Sequence, residues 1–343
     1  MSRLGIITIS KEIKFKYIPD FFHNKIPQKL IDILTVRFKK NVYKYVDIPD
    51  TDIKLYVAYL PFTEYQLSST KPVDIDKLCG EILEHFEMEG IKYVVLSQHV
   101  KTNKQMFEYV YGSGRFFRLN SKRLLMSLLV DILRKICKIA GTDMSQIDIG
   151  IVENSFTEKS KAIINILSTN VKYVTLVTKD VKEAQVYTEK VCEETGLTVR
   201  VSEDISKALS SIDVVFVLDD LDKLIRKASL SMSTIVFNLS TSSMAEKRIS
   251  NIIIDSVNIS IPQNIKDVIG PLGEIDNEEL IECIISLKLN KNLNMNMNNI
   301  QQYLEFNKEF YSSGYKINVL KGFGKPIDIS KLEKLAKNLA GSK

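Results

Sequence analysis

Apolar residues in the middle of the chain are grouped in short, unbroken runs that are separated by amphipathic stretches. Such runs are typical of β-strands that are covered by helices on both faces. They predict strands at residues 147–152, 173–178, 198–201, 214–218, 234–239 and 252–257, with helices at 157–168, 181–195 and 205–210 between them. Because right-handed crossovers link such units, this part of the chain is predicted to be a doubly wound parallel sheet.

The first third of the chain shows a shorter alternation of the same kind. It predicts strands at residues 4–9, 53–59 and 91–97 and helices at 26–39 and 73–89, and hence a separate α/β domain. A leucine-rich amphipathic stretch at 121–140, closed by Gly141, predicts a long linking helix. After Pro262 the pattern predicts helices at 276–289, 300–311 and 330–339, with an asparagine-rich loop at 290–299.

These elements predict an α/β protein of two domains. Its predicted parts are an N-terminal α/β domain (1–118), a linking helix (119–145), a doubly wound parallel sheet (146–262) and C-terminal helices that pack back toward the N-terminal domain (263–343). The length of 343 residues agrees with two domains, since single cores rarely exceed roughly 300 residues.

Composition narrows the classes of function. No run approaches the roughly 18 apolar residues of a membrane span, and the N-terminus lacks the features of a signal peptide, so we expect a cytoplasmic protein without membrane contact. The 47 basic and 42 acidic residues are interspersed, which gives no indication of a nucleic-acid partner. The four cysteines are far apart in sequence, so neither a metal site nor a redox pair is predicted.

The loop after the first strand of the doubly wound sheet differs from that of dinucleotide-binding domains. Those domains carry a G-x-G-x-x-G sequence there, which lets the backbone approach a pyrophosphate. Here the loop is Glu153-Asn154-Ser155-Phe156-Thr157-Glu158, without glycine. Its carboxylates would repel a phosphate, and Ser155 and Glu158 fit a capping box that satisfies the helix N–H groups internally. Two interpretations stay open: a self-capped structural helix, or an altered loop in which Asn154 and Ser155 contact a ligand.

The segment Thr178-Lys179-Asp180-Val181-Lys182-Glu183-Ala184 follows the second strand of this sheet. It resembles the Asn-Arg-Thr-x-x-Lys-Ala stretch of shikimate dehydrogenases and related amino-acid dehydrogenase-like proteins, and the order of elements is similar over roughly residues 121–285. The resemblance implies a Rossmann fold, an NADP or NAD cofactor, and contact between Lys179 and a phosphate on the adenosine side. The family's catalytic lysine and aspartate match no position in residues 1–118, so the catalytic residues stay unassigned.

Four basic residues of the N-terminal part are candidate contacts for a small anionic ligand. His99 and Lys101 follow the strand predicted at 91–97, and Arg115 and Arg118 lie in the loop at 111–118. The carboxyl ends of strands commonly hold ligands, and arginine binds a carboxylate or phosphate through two parallel hydrogen bonds. The alternative is that these side chains lie in solvated loops or surface ion pairs.

Two functions are compatible with these patterns. The first is that of a Rossmann-fold relative of NAD(P)-dependent dehydrogenases with a degenerate phosphate loop. Such a divergent or non-catalytic protein would bind a small anionic ligand or a protein partner, without a cofactor. The alternative is an active NADP-dependent oxidoreductase of the shikimate or amino-acid dehydrogenase type with an atypical cofactor loop. A homo-oligomer is compatible with both.

Overall fold

The computed structural model describes residues 1–9, 41–61, 67, 72–112, 114–220, 228, 230–240, 250–272, 274–289, 300–328, 330 and 332–333. The chain divides into two compact units. The first comprises Met1–Leu119 and Ile261–Asn294, and the second comprises Asn120–Ser260 and Met295–Lys343. The C-terminal region is thus shared between the two units, whereas the sequence pattern predicts helices packing toward the N-terminal domain throughout residues 263–343.

The described residues form the following strands and helices, given in chain order: β1 (Ser2–Ile9), β2 (Val42–Asp47), β3 (Ile53–Leu60), α1 (Pro72–Met88), β4 (Val94–Leu96), α2 (Gln98–Thr102), α3 (Lys104–Tyr111), α4 (Lys122–Ser127), α5 (Leu129–Ala140), β5 (Ile149–Val152), α6 (Glu158–Leu167), β6 (Tyr173–Val177), α7 (Val181–Thr195), β7 (Thr198–Ser202), α8 (Ile205–Ala208), β8 (Val214–Val217), β9 (Ile235–Asn238), β10 (Ile252–Ile254), β11 (Ser256–Ser260), α9 (Gln263–Ile269), α10 (Asn277–Lys288), α11 (Ile300–Ser312), β12 (Lys316–Gly322) and β13 (Lys325–Pro326).

The first unit is built on a sheet whose described strands have the order β2-β3-β1-β4. β1 lies parallel to β3 and to β4, and β2 joins the edge in the antiparallel direction. Ile7 and Ala58 of the sheet share a core with Ile82 and Phe86 of α1. The strands at 4–9 and 53–59 and the helix at 73–89 are confirmed, and only residues 94–96 of the strand predicted at 91–97 are in β4. β2 was not predicted because its side chains are exposed or half-buried, so the sequence has no apolar run there.

The second unit contains a six-stranded sheet, counted over the described residues, of order β10-β9-β8-β5-β6-β7, and all its pairings are parallel. The chain starts in the centre at β5, moves outward through β6 and β7, and then crosses to β8, β9 and β10. This is the Rossmann strand order, with its switch point between β5 and β8. The predicted doubly wound sheet is therefore confirmed.

The predicted linking helix is divided into α4 and α5. They meet at Leu128, whose ψ of 3° interrupts the helical conformation. Just before it, Ser127 Oγ donates a hydrogen bond to the carbonyl of Arg123 at 2.8 Å. Such a side-chain bond competes with the backbone ladder and bends helices. Helix α5 ends as predicted, because Gly141 takes the left-handed conformation with φ 67°.

The prediction of a single strand at 252–257 is wrong. β10 pairs with β9 up to Ile254, and β11 then pairs in the antiparallel direction with β12. Asp255 lies at this change of partner: its carbonyl accepts a hydrogen bond from Lys122 Nζ at 2.8 Å, and its carboxylate accepts one from Phe323 N at 2.7 Å. The C-terminal region therefore contains strands as well as helices.

Helices α10 and α11 confirm the predictions for residues 276–289 and 300–311. The helix predicted at 26–39, the loop at 290–299 and most of the helix at 330–339 lie outside the described residues. Within the part of the chain that the structure describes, no helix is both long enough and apolar enough to cross a membrane.

Candidate functional site

A cavity opens in the second unit at the carboxyl ends of β5, β6 and β8. Its volume is about 120 Å³. Its lining residues are Val152, Glu153, Asn154, Val177, Thr178, Lys179, Glu203, Ile205, Val217, Asp219 and Asp220. Doubly wound sheets bind their ligands at this switch point, so the cavity is the candidate functional site.

The floor of the cavity is apolar and belongs to the sheet. Val152, Val177 and Val217 are the last residues of three adjacent strands and lie in register with one another. All three are buried and share one core cluster, against which the half-buried Ile205 packs. The floor is therefore held by the sheet itself and not by a loop.

Glu153, the first residue after β5, is only 4% exposed. Its Oε1 accepts a hydrogen bond from Thr157 Oγ1 at 2.6 Å, and its Oε2 accepts one from Thr157 N at 3.1 Å and another from Ser160 Oγ. Burial raises the pKa of Glu153, although the hydrogen bonds from Ser160 and Thr157 act in the opposite direction. The carboxylate thus fastens the first turn of α6 to the end of β5.

Two further N–H groups of this loop are bonded to carboxylates. Asn154 N donates to Asp219 Oδ2, and Phe156 N donates to Asp180 Oδ2 at 2.9 Å. In dinucleotide-binding domains, backbone N–H groups at this place bind the pyrophosphate. Here the carboxylates of residues 153, 180 and 219 take three of them.

The predicted capping box of Ser155 and Glu158 is wrong. Helix α6 begins at Glu158, with Thr157 as its N-cap: Thr157 Oγ1 accepts from Lys159 N at 3.2 Å, and Ser160 Oγ accepts from Thr157 N at 3.2 Å. Glu158 instead forms an ion pair with Lys161 at 2.8 Å. The cap lies two residues later than predicted because the carboxylate of residue 153 holds Thr157 at the helix start.

Of the three residues predicted to contact a cofactor, two line the cavity and one does not. Asn154 and Lys179 line the cavity, whereas Ser155 is exposed and is not among the lining residues. Lys179 N donates to the carbonyl of Asn154 at 3.0 Å, which joins the loops after β5 and β6. Among the described residues, the lining carries one ammonium group, that of Lys179, and four carboxyl groups, those of Glu153, Glu203, Asp219 and Asp220. Acidic side chains therefore outnumber basic ones in this part of the lining.

Two of the basic residues predicted to contact an anion, Lys101 and His99, lie next to acidic side chains of the first unit. Lys101 Nζ donates to Asp276 Oδ2 at 2.7 Å and to Glu279 Oε1 at 2.5 Å. Burial acts to lower the pKa of Lys101, but the charges of Glu279 and Asp276 outweigh it, so the pKa is raised. His99 Nε2 lies 3.7 Å from a carboxylate oxygen of Glu274.

The two predicted arginines also have contacts of their own. Arg115 Nε lies 3.6 Å from a carboxylate oxygen of Glu87 in an exposed pair. The guanidinium carbon of Arg118 lies 4.6 Å from the ring centroid of Phe107, a cation–π geometry. Each of the four basic residues thus has an acidic or aromatic partner among the described residues, and the positive charges of Lys101 and Arg118 both act to lower the pKa of Glu279.

Three acidic residues of the second unit were missed as site residues: Asp180, Glu203 and Asp219. Each comes one to three residues after a strand of the parallel sheet. Since the carboxyl ends of parallel strands meet at one edge, the residues after each apolar run could have been considered together. Across the described residues, no group of three or more His, Cys, Asp or Glu side chains is placed to hold a metal ion.

No protein-family model matches the chain, and no curated protein matches it. Among solved structures it is similar to a shikimate 5-dehydrogenase from Listeria monocytogenes in complex with shikimate and NAD, with 11% identity, coverage of 97% of this chain and 96% of that chain, and a TM-score of 0.32. It is also similar to an L-tryptophan dehydrogenase from Nostoc punctiforme, with 10% identity, coverage of 100% and 89%, and a TM-score of 0.30.

A third similar structure is a shikimate dehydrogenase in complex with NADP⁺, with 10% identity, coverage of 84% of this chain and 96% of that chain, and a TM-score of 0.32. The resemblance seen in the sequence is thus found again among solved structures.

Proposed function

We propose that this protein is a divergent, non-catalytic Rossmann-fold protein whose cavity at the switch point does not take a dinucleotide. The observation that supports this proposal is the bonding of the loop N–H groups. Those of Asn154, Phe156 and Thr157 are bonded to carboxylates of the same chain. A pyrophosphate fits this loop only if it displaces them.

The magnitudes favour the internal carboxylates. A hydrogen bond to a charged group contributes about 1.5 to 3 kcal/mol. Three such bonds together approach the ~8 kcal/mol that micromolar binding provides in total. A phosphate that replaced these carboxylates would also lie beside them, and like-charge contacts cost several kcal/mol more. A dinucleotide therefore gains too little at this loop to offset what it displaces.

The test is a titration of the whole protein with NADH and NADPH, followed by nicotinamide fluorescence and by calorimetry. We expect no saturable binding up to roughly 1 mM, where even a binding free energy of about −4 kcal/mol would be detected. Saturable binding of either dinucleotide at micromolar concentration would refute the proposal.

The alternative, an NADP-dependent oxidoreductase with an atypical loop, is favoured by Lys179. Its exposed side chain lines the cavity just after β6, where a basic residue can accept a 2′-phosphate. If this alternative holds, Lys179→Ala weakens NADPH binding and leaves NADH binding unchanged. Lys182→Ala is the matched control, because Lys182 is exposed on the adjacent helix α7 and is not a lining residue.

A further inference from the structure

Residues 261–294 enter the first unit from the second and lead back to it. Just before α10, this piece of chain contacts the residues that follow β4. Gln98 N donates to the carbonyl of Glu274 at 2.8 Å, and Gln98 Nε2 donates to Asp276 Oδ1. The start of α10 is therefore joined to α2, the helix that follows β4.

One ammonium group and two carboxyl groups complete this contact. Lys101 Nζ of α2 lies 2.7 Å from Asp276 Oδ2 and 2.5 Å from Glu279 Oε1. Glu279 is in the first turn of α10 and is only 7% exposed, whereas Lys101 and Asp276 are half-buried. These three residues are called the triad below. Two carboxyl groups of the triad are thus bonded to the same nitrogen atom in a place that is largely closed to water.

The charges of the triad do not balance while both carboxyl groups are ionised. Burial and a neighbouring like charge each disfavour the ionised form of a carboxyl group. Burial is the main cause that raises the pKa of Glu279; Lys101 acts to lower it, Asp276 raises it further, and Arg118 lowers it slightly. A proton on Glu279 leaves the ammonium group paired with Asp276 alone, one charge of each sign.

Other titratable groups lie on the elements that carry or face the triad. They are Tyr111 of α3, Arg118 of the loop after it, His99 of α2, Glu274 before α10, and Glu278, Glu282 and Cys283 of α10. Burial raises the pKa of Tyr111, and its hydroxyl donates to the carbonyl of Val94 at 2.7 Å. His99 needs a control of its own, because histidine side chains change charge near neutral pH.

We propose that the triad is a pH-sensitive contact, which holds residues 274–289 on the first unit more tightly when one of its carboxyl groups takes up a proton. A group that binds its proton more tightly in the closed contact than in the open one stabilises the closed form at low pH. For Glu279 this stabilisation is complete below the ordinary pKa of 4.5 and is lost as the pH rises through the raised pKa. The triad lies outside the cavity of the second unit, so its behaviour does not depend on whether a dinucleotide binds there.

The experiment is hydrogen exchange of the whole protein, followed by mass spectrometry. Rates are expressed as protection factors, so that the intrinsic pH dependence of exchange cancels. Between about pH 5 and about pH 8, residues 274–289 should lose protection by at least about threefold, within the limit of about tenfold per pH unit that the release of one proton sets. Peptides from α7 in the second unit are the internal reference and should change less.

Variants assign the effect to the triad. Glu279→Gln cannot titrate, so its protection of residues 274–289 should not depend on pH. Asp276→Asn removes the like charge, so the loss of protection should move to lower pH. The matched control is Glu108→Gln, the same change at an exposed residue of α3 that pairs with Lys104, and it should keep the wild-type behaviour. His99→Gln should keep it as well.

Protection of residues 274–289 that stays constant or increases as the pH rises would overturn the inference. So would an undiminished loss in Glu279→Gln, or a loss that disappears in His99→Gln. Circular dichroism shows whether each variant is folded. If Glu279→Gln is not, Asp276→Asn decides the matter, and a loss of protection at the same pH as in the wild type would overturn the inference.

Discussion

Replacing Glu153 tests whether one buried carboxylate holds the start of α6. In Glu153→Ala the N–H of Thr157 keeps only its 3.2 Å contact with Ser160 Oγ, while the Ser160 hydroxyl can still donate to the Thr157 carbonyl at 3.1 Å. The hydrogen bonds to the carboxylate are lost or replaced by weaker ones at a cost of about 1–3 kcal/mol, and the space left by the buried side chain adds to this. We expect a loss of roughly 2–4 kcal/mol in the free energy of unfolding.

The assay is urea denaturation at neutral pH, with circular dichroism as the readout. The matched control is Glu158→Ala. Glu158 is also acidic and lies in the first turn of α6, but its side chain is exposed and pairs with Lys161. This control should cost at most about 1 kcal/mol, as surface pairs do. The role assigned to Glu153 is refuted if its alanine variant loses less than the control.

Because its pKa is raised, Glu153 should also make the stability of the protein depend on pH. Burial raises this pKa above the ordinary value of 4.5, so the folded protein binds the proton more tightly than the unfolded chain does. The resulting stability is fully present below pH 4.5 and is lost as the pH rises through the folded pKa. Glu153→Gln cannot titrate, so the stability of the wild type relative to this variant should decrease as the pH is raised above 4.5. A difference that grows with pH would contradict the assigned burial.

Three further substitutions test the framework around the site by the same denaturation assay. Lys122→Met removes an ammonium group that donates hydrogen bonds to the carbonyls of Asn238 and Asp255, both at 2.8 Å. We expect this change to cost about 2 kcal/mol. Gly150→Ala places a methyl carbon 2.9 Å from a buried leucine methyl and should cost about 1–3 kcal/mol. Lys101→Met leaves the buried carboxylate of Glu279 without its partner and should cost about 2–4 kcal/mol, less than a fully buried pair because the lysine side chain is 22% exposed. Adding Glu279→Gln to that variant should recover part of the loss.

The parallel sheet could be predicted from sequence because its signal is local. Each strand of the sheet's centre is buried on both faces, so its residues form an unbroken apolar run. The helix ends were equally predictable where glycine stops the helix, as at Gly196 after α7 with φ 78°. The doubly wound arrangement then agreed with the handedness of the crossovers.

The break at Asp255 could not be predicted in this way. Residues 252–257 have one continuous strand pattern, and the division into β10 and β11 depends on β12, about sixty residues later in the chain. The same holds for Lys101, whose carboxylate partners are 175 and 178 residues away. Without those partners the sequence shows only a basic residue near a strand end, which is why the pattern predicts an anion contact there.

The features of the loop after β5 could be predicted from the sequence only in part. The absence of glycine was visible in the sequence, but its consequence depends on Asp180 and Asp219, which reach the loop from the ends of two neighbouring strands. Restoring glycine at Ser155 would therefore leave the N–H groups on both sides of it bonded to carboxylates. Removing those carboxylates, and that of Glu153, would free the donors but also loosen the first turn of α6. Under the function proposed above, the contacts that stabilise this helix start also keep a phosphate from it, so we expect no single substitution in the loop to create phosphate affinity.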